Sequence, residues 1–140
     1  MSFGGPCLLF FNNLAVRLMS TNACIAVSNS HFQMDLEGIY CHWDGGQDLS
    51  NVLNKHFNTW AEARELIAGG DVSSVSGDHV ESYQDRGESV ESTKATEGGL
   101  DHLLKSMTTV EYFHIFHDGE WEFLTRDEAK EIVVQLEEMY

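Results

Sequence analysis

The dipeptide Asp118-Gly119 constrains this chain more than any other pair, because it stands between two runs with strand character, Val110 to His117 and Glu120 to Leu124. A two-residue Asp-Gly loop suits the primed turns, whose twist matches that of paired strands, so the two runs must fold back on each other as an antiparallel hairpin. Thr125 and Glu128 follow at once, three residues apart, as a capping box. The box starts a helix that turns Ala129, Ile132, Val133 and Leu136 inward.

The rest of the chain reads the same way. Residues 23 to 29 and 36 to 43 predict two strands joined by a polar turn. Asp48 or Ser50 is placed to cap a first helix carrying Leu49, Val52, Leu53, His56 and Phe57 on one face. Thr59 and Glu62 form a capping box for a second, with Ala63, Leu66 and Ile67 inward and Gly69-Gly70 as its stop. Residues 71 to 99 are rich in Ser, Gly and acid, which predicts a long loop or ragged edge strands anchored by Val80 and Tyr83. Leu100, Leu103, Leu104 and Met107 outline a short helix. This order predicts an α+β fold over residues 19–140: a single domain with a mostly antiparallel β-sheet and helices packed on one face. Residues 1–18 hold Gly4-Gly5-Pro6, an apolar patch from Cys7 to Phe11 and Arg17 as their only charge. They lack the basic start of a secretory signal and are expected to be an N-terminal extension ahead of a functional start at Met19.

Charge narrows the partners. Eight Lys and Arg oppose 23 Asp and Glu, a net charge of −15, which disfavours a broad duplex nucleic-acid surface. A small anion remains admissible where a few cations gather. The three cysteines, Cys7, Cys24 and Cys41, form no CxxC pair, and an odd number closes no disulfide framework. Reduced thiols and a cytoplasmic setting follow as expectations. No run of about 20 apolar residues is present to span a membrane.

The densest chemistry is Tyr40-Cys41-His42-Trp43-Asp44-Gly45-Gly46. On a strand, Tyr40, His42 and Asp44 share one face and Cys41 and Trp43 the other, while the glycine pair suits a tight turn or a close backbone approach. A sheet-end aromatic cluster would use the same residues. His114 and His117, three apart on a strand, point to opposite faces, and His42 with Asp44 supplies only two ligands, so no metal or cofactor is expected. Cys41 and His42 are neighbours that face apart, and there is no GxSxG, P-loop or dinucleotide fingerprint, so the expectation is that the chain is not an enzyme. Arg126 and Lys130 lie four apart at the start of the last helix, where cations oppose the macrodipole. They form either a phosphate-sized positive spot with free N–H groups or pairs with Asp127 and Glu131. Arg86, in Asp85-Arg86-Gly87-Glu88, is the other candidate cation. Tyr40, Trp43, Tyr83, Tyr112, Trp121 and Phe123 are candidates for base stacking or for the core.

Ile39-Tyr40-Cys41-His42-Trp43-Asp44-Gly45 resembles the YCHWDGYPE signature of small phage and prophage proteins. The similarity continues at Leu66 to Ser74, like the family's LIALGDLSSL. It returns at Asp85 to Glu88, Thr93 to Ala95 and Tyr112 to Trp121, covering roughly residues 19 to 125 in order. Gly46-Gln47-Asp48 stands where the family has Tyr-Pro-Glu. These proteins resemble the first-described Thoeris anti-defence family. The resemblance implies a sponge that binds a cyclic ADP-ribose signal from TIR-domain enzymes, or a cyclic oligonucleotide, and holds it unaltered in the infected host's cytoplasm. It also implies a homo-oligomer, from dimer to hexamer, with pockets at subunit interfaces. Tyr40, His42, Trp43, Asp44 and Arg86 are the motif positions that match. Arg126 and Lys130 join them as expected ligand-binding residues on the helix-terminus argument. Two alternatives stand beside this expectation: an acidic inhibitor that binds a host defence protein, and a small hydrolase acting through Cys41 or His42.

Overall fold

A computed structural model describes residues 21–29, 34–77 and 79–139. The expected extension over residues 1–18 and the start at Met19 lie outside them, as do residues 30–33 of the first hairpin's connection.

The described chain runs β1 (Ala23–Ser28), β2 (Leu36–Cys41), α1 (Gln47–His56), α2 (Trp60–Ala68), β3 (Val72–Ser76) and β4 (His79–Ser82). A 3-10 turn (Gln84–Arg86), α3 (Val90–Thr93), β5 (Thr96–Gly98), α4 (Leu100–Ser106), β6 (Tyr112–His117), β7 (Glu120–Thr125) and α5 (Arg126–Met139) complete it. All seven strands form one sheet in the order β4-β3-β2-β1-β6-β7, with β5 also on β2. β1 is parallel to β6, and β2 to β3 at Cys41–Val72; the other four pairings are antiparallel. This is an α+β domain with a mostly antiparallel mixed sheet.

The helices cover both faces of that sheet, not one. Ala23, Ile25, Val27, Ile39, Cys41, Phe116 and Trp121 pack under α1 and α2 with Leu49, Leu53, Ala63, Leu66 and Ile67. Cys24, Ala26, Leu36, Phe113, Ile115 and Leu124 pack on the other side with Leu100, Leu103 and Leu104 of α4 and Ala129 and Val133 of α5. The reason lies in β1, where Ala23 to Val27 are apolar at every position and all fully buried. A strand without alternation needs cover above and below.

Local signals account for the ends of the elements. Asp118 and Gly119 both adopt positive φ, as a type I′ turn requires. The Thr125–Glu128 box closes reciprocally, with Glu128 N–H on Thr125 Oγ1 at 3.1 Å and Thr125 N–H on Glu128 Oε1 at 2.8 Å. Thr59 accepts from Glu62 N–H at 3.2 Å. Helix α1 begins one residue before Asp48 with Gly46 as its N-cap, so neither Asp48 nor Ser50 caps it. Asp48 instead lies in the first turn, where the macrodipole favours a carboxylate. The stretch from 71 to 99 takes the ragged-edge form, with Val80 packed against the core. Among the described residues no helix is long and apolar enough to cross a membrane.

Candidate functional site

At one end of the sheet β2 runs out, β1 begins and the connection from α4 enters β6. Tyr40, the last residue but one of β2, is hydrogen-bonded through its hydroxyl to His42 Nδ1 at 2.9 Å. Asn22 Nδ2, a donor only, faces the same nitrogen at 3.4 Å and donates to the His42 carbonyl at 2.9 Å. Both contacts suit Nδ1 as an acceptor. Burial pushes the Tyr40 hydroxyl up; a hydrogen bond from Thr109 opposes this, while Tyr83, Cys41 and Asp71 add to it. Trp43 stands edge-on to His42 at 4.6 Å and is 39% exposed.

Outside the β2 edge Asp71 replaces a missing strand neighbour. Its Oδ1 accepts from Tyr40 N–H at 2.9 Å in the gap between the pairings with β5 and β3. Burial raises its carboxyl, and the Tyr40 bond works against that.

The turn after β2 is set by close packing. Asp44 takes a left-handed φ of 56° and Gly45 N–H donates to the Thr21 carbonyl at 2.9 Å. A Cβ on Gly45 would lie 2.5 Å from Ala23 Cβ and 2.8 Å from Thr21 O, so only glycine fits. The Gly45 carbonyl accepts from His114 Nε2 at 2.6 Å. His114 is fully buried and stacked on Phe123 at 4.8 Å, and its Nδ1 has no partner among the described residues. Burial lowers its pKa to about 4, against the pull of the Gly45 bond.

The connection from residue 107 to 111 links this cluster to α5. Thr109 reaches Tyr40 on one side. On the other, Arg126 Nη1 donates to the Met107 and Val110 carbonyls at 3.0 Å each, and Nη2 to the Leu104 carbonyl at 2.8 Å. Those carbonyls belong to the end of α4 and to the chain just beyond it, which a helix cannot satisfy internally. Arg126 is thus a cap for α4. Two N–H groups of the α5 N-terminus are likewise committed, Arg126 N–H to Glu111 O and Glu128 N–H to Thr125 Oγ1.

A groove of about 540 Å³ runs between α4 and α5. Leu104, Val133 and Val134 supply its apolar lining; Lys105, Arg126 and Lys130 line it with Asp101, and Glu137 also acts on the charge of Lys105. Thr108, next to the Thr109 that holds Tyr40, also lines it. Lys105 is bonded to Asp101 at 3.0 Å. Lys130 has no hydrogen bond or ion pair among the described residues, so of the two alternatives the pairing with Asp127 or Glu131 does not form there.

The predicted site residues therefore fall into three places. Tyr40, His42, Trp43 and Asp44 form the turn cluster, and Arg126 and Lys130 line the groove across the 107–111 connection. Arg86 lies in neither: its guanidinium sits 4.8 Å over the Tyr83 ring and 3.4 Å from Glu81. The aromatic residues that were candidates for stacking a base do not line the groove. Lys105 and Thr108 escaped the sequence reading; the i,i+4 pair Asp101–Lys105 is a common surface pattern. Cys41 is buried and its thiol pushed up to about 12, chiefly by burial, with a backbone hydrogen bond at Trp43 opposing and Asp44 adding. Such a thiol is a poor nucleophile. Among the described residues no cluster of three His, Cys, Asp or Glu is placed to hold a metal ion.

Comparison with family models, with curated proteins and with solved structures finds no match to this chain.

Proposed function

We propose that this chain is a binding protein that takes up a phosphorylated nucleotide signal of the cyclic ADP-ribose type in the α4–α5 groove and holds it unaltered. The observation that carries the reading is the placement of charge. Three of the chain's eight Lys and Arg side chains line one groove, in a molecule with 23 Asp and Glu. Small-molecule sites are typically about 300–1,000 Å³, mostly apolar, with a few polar groups that fix orientation, and the groove has that character. Lys130, unpaired, and Lys105 would meet the diphosphate; Leu104, Val133 and Val134 would take the flat face of the base. Arg126 adds charge and holds the wall. Sequestration of this kind requires affinity and copy number, and no bond is made or broken.

The resemblance of the motif order to small phage and prophage proteins, themselves similar to the first-described Thoeris anti-defence family, supports the same reading, and extends it to a homo-oligomer acting in an infected bacterial host. Calorimetric titration with cyclic ADP-ribose isomers tests it: saturable binding lost in Lys130→Ala supports it, and the absence of any heat above that of a neutral nucleoside contradicts it. The net charge of −15 favours a second reading, an acidic inhibitor that captures a basic host protein. A pull-down that retains such a protein while nucleotides fail to bind would favour that one.

A further inference from the structure

A second, smaller pocket of about 220 Å³ opens between the end of α2, β4 and the 3-10 turn, away from the residues of the groove. Phe57, Leu66 and Val80 supply its apolar walls. Glu65 and Asp85 stand at it with exposed carboxylates, and neither has a side-chain hydrogen bond or ion pair among the described residues. The cations next to them in sequence are already held, Arg86 by the Tyr83 ring and Glu81, and Arg64 by Glu37 and the Trp60 ring. The hydroxyl of Ser82, a residue 5% exposed, accepts from Asp85 N–H at 3.1 Å and so fixes the turn that carries Asp85.

The volume is below that usual for small-molecule sites but suits one long side chain. Lysine and arginine bury an aliphatic stem against apolar surface and need an anion only at the tip. Apolar walls with two uncommitted carboxylates match that division, and the acidic exterior would steer a basic partner toward it. We infer that this pocket is the anchor point for an arginine or lysine side chain of a basic protein partner. The inference stands apart from the groove reading and survives its failure.

The probe is the peptide acetyl-Gly-Arg-Gly-amide, titrated against the full chain while the Leu66 and Val80 methyl resonances are followed. The neutral isostere acetyl-Gly-citrulline-Gly-amide is the parallel arm. Saturable shifts at both methyls with the arginine peptide only, weakened about tenfold in Glu65→Gln/Asp85→Asn, are expected. The double variant Glu131→Gln/Glu138→Gln, with the same change in net charge on exposed α5 positions, should bind as the parent does. Equal weakening in both double variants, equal binding of the citrulline peptide, or no saturable shift would each overturn the inference.

Discussion

Arg126 Nη2 donates to the Leu104 carbonyl at 2.8 Å, so a side chain from the first residue of α5 closes the last turn of α4. With the bonds to Met107 and Val110, one guanidinium orders the wall of the groove. Hydrogen bonds to charged groups contribute about 1.5–3 kcal/mol net, and part-buried carbonyls left unpaired are costly. Arg126→Ala should lower the unfolding free energy by about 2–3 kcal/mol in urea titration. Arg126→Lys should recover little of it, because a single ammonium cannot reproduce the planar fork. Full recovery by lysine would mean that charge alone matters.

Lys130 is the opposite case, exposed and without a partner among the described residues. Lys130→Ala should leave stability within about 0.5 kcal/mol. It should weaken binding of the anionic ligand about tenfold, or about 1.4 kcal/mol. Raising the salt concentration should weaken binding in the parent more than in the variant.

The glycine pair after Asp44 is divided by function. Gly45→Ala forces a Cβ to within 2.5 Å of Ala23 Cβ, inside the core, and should destabilise by about 1–3 kcal/mol through displaced backbone. Gly46→Ala meets nothing closer than Tyr112 Cε2 at 3.5 Å, an ordinary contact, and should be tolerated. Thermal unfolding of the two variants side by side checks the contrast.

His114 makes stability pH-dependent. Its pKa falls from an ordinary value near 6.5 to about 4 in the folded state, first through burial. Between those values the unfolded chain binds the extra proton, so stability rises with pH across the window. The contribution, on the order of 3 kcal/mol, is complete above about pH 6.5 and is lost as pH falls toward 4. Asp71, raised by burial, acts in the other direction in acid, since its folded form favours the proton. Urea unfolding at pH 7 and pH 5 should therefore show a smaller difference in His114→Gln than in the parent, with Asp71 common to both.

Much of the architecture is readable from short-range chemistry. Asp118-Gly119, the Thr125–Glu128 box and the Thr59 cap are local signals, decided by residues within three positions of each other, and they hold in the fold, although Glu62 meets the Thr59 hydroxyl. The second helical layer was also written in the chain, in the unbroken apolar run Ala23 to Val27, but the hairpin signals favour a sheet covered on one side. The site is less legible. Arg126 and Lys130 carry the same charge one helical turn apart, yet the guanidinium is drawn to three carbonyls 16 to 22 residues earlier in the chain while the ammonium has no partner among the described residues. Which of the two is spent on structure depends on where α4 ends relative to α5, a tertiary fact. His114 likewise reads as a strand histidine until the fold brings Gly45 to its Nε2.

The most direct test is to saturate the purified chain with a cyclic ADP-ribose isomer, remove the excess, denature by heat and determine the mass of what is released. A cationic hollow that only shelters its guest predicts release of the isomer at its original mass, in amounts that fall with Lys130→Ala. Release of a hydrolysed product, or of nothing, would contradict the account.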